Sequence, residues 1–190
     1  LATGGAVIAS QYIGKREHHN ACIAAKQLVY STAAISLILM AVALIFRKLL
    51  IKLVFGTIEA DVEGYANTYF LITALSYPFL ALFNAGAALF RSMGNSRVTL
   101  YISIIMNSVN IIGNAITIYL LNMDVAGAAL STLISRVIGA VIILLLLRNN
   151  GNIIYIEKLF KPEFHWQMNK NILKIGIPNG LENGMFQVGK

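Results

Sequence analysis

Five polar side chains recur at helical spacing inside an otherwise apolar stretch: Ser103, Asn107, Asn110, Asn114 and Thr117. Alternating steps of four and three residues put them on one stripe of a helix. An amide in hydrocarbon needs hydrogen-bond partners, so the stripe is expected to face protein or water and not lipid. Its chemistry would be that of a polar cavity wall that binds a small solute. The other reading is adhesion between helices, at about 0.6 kcal/mol per interhelical hydrogen bond. The preceding apolar stretch offers Thr73, Tyr77 and Asn84 at similar spacing. Tyr77 presents a ring face that suits a cationic or aromatic ligand, with plain packing as the alternative.

Two ions stand inside apolar runs. Arg136 lies near the middle of its run, where a charge costs from about 2.5 kcal/mol upward. It is expected to face a cavity, a carboxylate or backbone carbonyls, or to snorkel to the end of the span. Ser135 and Gly139, four apart, mark a close-packing face beside it. Glu182 lies in Pro178-Asn179-Gly180-Leu181-Glu182-Asn183-Gly184. A buried acid must be neutral, paired or bound to a cation. Coupling to Na⁺ or H⁺, or pairing with a cationic substrate, fits it. A helix that starts late and leaves Glu182 at the interface fits equally.

Enzymatic chemistry finds little support. General acid–base work needs a titrating group within reach, and residues 27–46, 64–90, 98–123 and 125–147 contain no Asp and one Arg as their sole charge. His18 and His19 are adjacent, so they would not share a helix face. No third ligand is near, and the pair is read as part of a polar loop, residues 15–19. Cys22 is alone, which leaves no disulfide framework and no Cys-based metal site. The expectation is no enzyme, no metal and no cofactor beyond a coupling ion.

The elements that must position these residues are membrane spans. Of the 190 residues, 57% are hydrophobic and 12% charged, with mean hydropathy +0.71. Soluble domains carry about 25% charged residues. The four runs named above each reach the roughly 20 residues needed to cross about 30 Å of hydrocarbon. Pro78 is expected to kink the second, and Arg91-Ser92-Met93-Gly94-Asn95-Ser96-Arg97 is a basic hairpin tip. Residues 1–14, about 21 Å of helix, are too short to span alone. Gly4, Gly5 and Ala9 there would allow close helix approach. The chain opens at Leu1 inside an apolar run and stops at Lys190 within another, so it reads as an internal fragment of a longer protein.

The net charge of +7 is placed at the ends of the runs, where it meets lipid head groups and sets topology. Membrane lipid, and not nucleic acid, is the expected partner. The first, third and fifth connections carry ten Lys or Arg against three for the second and fourth. That places residues 15–26, 91–97 and 148–174 in the cytoplasm. Residues 149–171 are polar and irregular. Ile153, Ile154, Ile156, Phe160, Phe164 and Trp166 suggest a segment lying along the interface.

Ser10-Gln11-Tyr12-Ile13-Gly14, the 91–97 turn, Asn107-Ser108-Val109-Asn110-Ile111-Ile112, Val125-Ala126-Gly127-Ala128-Ala129 and Lys174-Ile175-Gly176-Ile177-Pro178 come in the order and spacing of the multidrug and toxic compound extrusion (MATE) transporters. The chain resembles that family over essentially its whole length, from the second helix to the start of the seventh of twelve. The ordered set carries the resemblance; no single motif does.

The resemblance implies an all-α polytopic bundle, part of a two-bundle transporter. Residues 1–148 would belong to the N-terminal bundle, 149–171 to a cytoplasmic linker and 172–190 to the start of the C-terminal bundle. It implies multidrug efflux at the cell membrane, antiporting small organic cations against Na⁺ or H⁺. The remainder of the same chain would be its partner. Tyr77, Asn84, Asn107, Asn110, Asn114 and Arg136 are the substrate-binding candidates, and Glu182 the cation-coupling candidate. The turn departs from the common family form, with Asn95 for an Asp and Val98-Thr99 where a Pro is frequent. One branch carries its coupling acids on the first helix, another on the seventh and eighth, and Glu182 stands nearer Pro178 than the latter's acid. A flippase for a lipid-linked saccharide and a non-transporting membrane scaffold are the rival readings.

Overall fold

The computed structural model describes residues 1–56, 60–156 and 165–188. Among these there is no strand. The helices are α1 (Ala2–Gly14), α2 (His18–Ile45), α3 (Arg47–Phe55), α4 (Ala60–Leu75), α5 (Tyr77–Ser92), α6 (Ser96–Asn114), α7 (Asp124–Leu147) and α8 (Trp166–Val188). Four stretches are long and apolar enough to cross a membrane: His18–Ile45, Val62–Ser92, Ser96–Leu120 and Asp124–Leu147. They match the four charge-poor runs.

The boundaries differ where side chains act locally. Arg16 takes a left-handed conformation, φ 61°, and the chain reverses within three residues. Asn20 Nδ2 donates to Glu17 Oε2 at 2.7 Å, which ties the first turn of α2. His18 and His19 therefore open a helix and do not lie in a loop. At the hairpin tip Gly94 adopts φ 77°, a conformation that glycine reaches without a Cβ clash. Asn122 and Asp124, at φ 50° and 44°, make the short connection into α7.

Pro78 has no N–H to offer the carbonyl of Ala74. The helix breaks at Ser76, between α4 and α5, and Ser76 N–H turns instead to Thr73 O at 3.0 Å. A second irregularity was not foreseen. Directly after α6, residues Ala115–Leu120 form a π-helical turn, which shifts the register beyond Asn114. Such single turns often mark functional sites.

The core forms around α5, which packs on α1, α2 and α7. Its stretch 85–90 is buried throughout. The α6 helix lies along α7, and α8 lies on α1 and α2. Small residues set these distances. A Cβ on Gly113 would stand 2.9 Å from Ser131 Oγ, and one on Gly127 2.8 Å from Thr117, so α6 and α7 meet along a small-residue seam. A Cβ on Gly4 would lie 2.7 Å from the backbone nitrogen of Gly176, which fixes the α1–α8 crossing.

The segment after α7 corrects one expectation. Ile154 and Ile156 are 0% and 2% exposed and join the core; they do not lie along an interface. Ile154 N–H donates to Met93 Sδ at 3.3 Å and Ile156 N–H to Leu147 O at 2.8 Å. These bonds fold the segment back under the hairpin tip. Ile153 and Trp166 remain exposed. Phe160, Phe164, Lys158, Lys161, Pro162 and Glu59 lie outside the described residues. The helix of α8 starts at Trp166, inside the stretch read as linker.

Candidate functional site

The hairpin of α5 and α6 closes at Gly94, and its two arms then diverge. Among the described residues α4 and α6 share no contact, while α7 packs against both. The two helices thus lie apart on α7. Helix geometry decides which α7 side chains face each of them. At 3.6 residues per turn, Ser131, Ser135 and Gly139 face α6, and Arg136, Ala140 and Ile143 face α4 and α5. Thr132 falls between the two sets.

Asn110 Nδ2 donates to Thr132 Oγ1 at 3.2 Å. Asn114 Nδ2 donates to Asn110 Oδ1 at 3.3 Å. Thr132 Oγ1 itself donates to Ala128 O at 2.9 Å. The chain of amides ends at Asn114 Oδ1, a buried oxygen without a hydrogen-bond partner. An unmet buried acceptor is costly. It is also what a cation or a donor-bearing solute would satisfy. Asn107 is exposed and Ser103 half-buried on the same flank. Thr117 departs from the stripe because of the π-helical turn: it is buried at 7% exposure, donates to Gly113 O at 2.8 Å and lies 3.2 Å from Ser131 Oγ. Its role is in the α6–α7 seam.

Arg136 finds a partner that sequence reading did not name. Its Nη1 donates to Ser76 Oγ at 2.5 Å, and Ser76 Oγ in turn donates to Thr73 O at 2.6 Å. Ser76 is 0% exposed. The guanidinium thus reaches across from α7 to the break between α4 and α5. Thr73 Oγ1 beside it is a second buried oxygen without a partner. Tyr77 is half-buried at the start of α5, next to Ser76, and Asn84 is exposed two turns on.

Glu182 stands apart from this group. It is exposed on α8, which contacts α1 and α2 and neither α6 nor α7. Since α8 starts at Trp166, Glu182 lies about 24 Å along the helix. A further polar group escaped notice. Asn169, 2% exposed, donates to Gln27 Oε1 at 2.8 Å and accepts from Ser31 Oγ at 2.7 Å. The trio ties α8 to α2. Asn169 sat in a generally polar stretch, where one more amide gave no signal.

The MatE family pattern matches residues 1–116 of this chain. The uncharacterized transporter YisQ of Bacillus subtilis (strain 168) is 31% identical over 196 residues, covering 100% of this chain and 42% of that protein. The multidrug export protein MepA of Staphylococcus haemolyticus (strain JCSC1435) is 29% identical over 94% of this chain and 39% of its own length. A crystal structure of MATE in the bent conformation superposes with a TM-score of 0.89 over 98% of this chain and 41% of that one, at 21% identity. That likeness speaks for the fold alone. The chain spans about two fifths of the length of these relatives. With its apolar helices and this match, the molecule is a multi-pass membrane protein, and the chain belongs to the MatE family, a family of multidrug efflux transporters.

Proposed function

We propose that the full-length protein is a secondary active exporter that antiports small organic cations against Na⁺ or H⁺. The observation that carries this reading is the amide chain Asn110–Asn114 beside Thr132, which ends in a buried oxygen with no partner. Neutral oxygens alone hold a cation through their dipoles. The balancing negative charge would come from an acid elsewhere in the chain, with Glu182 the candidate within these residues. Asn107, Tyr77 and Asn84 would extend the polar wall toward a bound substrate. Arg136 carries the wrong sign for direct contact with an organic cation, so its place is as an anchor at the Ser76 break. A coupling ion drives transport only by binding one bundle arrangement more tightly than the other. The basic connections at 15–26, 91–97 and 148–174 would face the cytoplasm of a cell-membrane protein.

The test is efflux of a fluorescent organic cation from proteoliposomes of the full-length protein, under an imposed Na⁺ or proton gradient. One of the gradients should accelerate efflux. Asn110→Ala and Asn114→Ala should each slow it by about tenfold or more, the weight of one lost charge-assisted contact, with folding retained. Efflux indifferent to both gradients would refute antiport.

A further inference from the structure

A cavity of about 410 Å³ lies between α1 and α8, at the end of α1 where the chain leaves the apolar run. Its polar lining is Lys15, Lys174, Gln11, Asn171 and Tyr12, and among the described residues no acid contributes to it. Ile8 and Ile175 complete the wall. Glu17, the acid closest to it in sequence, is engaged by Asn20. Lys15 and Lys174 are exposed at its rim, and an anion held between two ammonium groups would offset their mutual repulsion. The amides and the phenol add neutral donors for the oxygens of such an anion. Lys15 is aligned by the C-terminal end of its helix and by the Tyr12 ring, whose centroid is 6.0 Å from Nζ.

We propose that this cavity binds the phosphate headgroup of an anionic phospholipid. The isoleucines decide between a lipid and a free phosphate. Ile8 is 5% and Ile175 36% exposed, and apolar wall below a basic rim matches a headgroup with its acyl chains. A free anion gains nothing from such a wall. The cavity is a specified feature and not a chance gap. The Gly4–Gly176 crossing and the Asn169–Gln27–Ser31 bonds set α8 against α1 and α2. Because both helices line it, the lipid binds only where they meet, and it favours that arrangement. The consequence for transport rests on the exporter reading; the binding itself does not.

The experiment uses the full-length protein in neutral phosphatidylcholine micelles, titrated with phosphatidylglycerol and read by native mass spectrometry. The wild type should retain phosphatidylglycerol over phosphatidylcholine. The double variant K15Q/K174Q should bind it about fivefold or more weakly, while K48Q on α3 stays within about twofold, the span of a site-specific against a general charge effect. K15R/K174R, which keeps both charges, should restore binding and shows that loss in the Gln variant is not misfolding. Equal retention of the two lipids, or equal binding by wild type and K15Q/K174Q, would overturn the proposal. So would complete displacement of the lipid by millimolar inorganic phosphate, which would make this a small-anion site. Each outcome is read without a transport assay, so it stands or falls separately from antiport.

Discussion

Arg136 illustrates how a charge is kept inside an apolar helix with a hydroxyl, and among the described residues no acid, as its hydrogen-bond partner. The helix break at Ser76 frees a hydroxyl, and the guanidinium donates to it. Two consequences for stability follow from the asymmetry between losing a partner and losing the charge. Ser76→Ala leaves the half-buried guanidinium with one hydrogen bond fewer, a loss of up to about 1.5–3 kcal/mol for a bond to a charged group. Arg136→Met removes the charge together with its desolvation cost, and Ser76 keeps its bond to Thr73 O. Ser76→Ala is therefore expected to lower the melting temperature in detergent more than Arg136→Met does. The reverse order would show that Arg136 has a further strong partner. The presence of an important base at 136 could be seen from its position in the run. Its partner could not, because a hydroxyl sixty residues away leaves no periodic mark.

Between elements, the glycines differ in what they face, and so should their substitutions. A Cβ on Gly4 meets the backbone of Gly176 and Ile172, which cannot turn aside. A Cβ on Gly139 meets Met106, a flexible side chain that can. Overpacking costs about 1–3 kcal/mol where nothing can yield. Gly4→Val should therefore separate α8 from α1, read as loss of disulfide cross-linking between cysteines placed at Ile8 and Ile175. Gly139→Val should leave a corresponding cross-link between α6 and α7 largely intact. Equal losses would mean that the seams tolerate crowding alike. The close-packing faces at Gly4, Gly5 and Gly139 were legible, since small residues at helical spacing have few other uses. The π-helical turn at Ala115–Leu120 was not: its apolar residues carry no mark that separates it from the rest of the span, and the seam contact of Thr117 with Ser131 becomes visible only once α6 and α7 are packed. The burial of Ile154 and Ile156 was missed because a short apolar run in polar surroundings looks the same whether it lies on an interface or folds back into a core.

Over the whole molecule, the described surface is strongly apolar. Ile38, Ile45, Ile111, Ile112, Tyr119 and Leu120 are each more than half exposed, a surface that only lipid or more protein can cover. The spans were readable because hydrocarbon tolerates so few charges that uninterrupted runs stand out. Which face of α6 meets water is inferred from spacing, and the packing on α7 defines two flanks on which to test it. Asn107, Asn110 and Asn114 lie on one side of the line of contact with α7; Ile105 and Ile112 lie on the other and are exposed. The central claim is that the amide flank borders a water-filled route through the bilayer. Single cysteines at these positions in the full-length protein, in a background with Cys22 and any other cysteine replaced by serine, test it by reaction with a membrane-impermeant thiol reagent. Cysteines replacing Asn107 and Asn114 should be labelled, while those replacing Ile105 and Ile112 stay protected in lipid. Labelling at the isoleucine positions with protection at the asparagines would contradict the account.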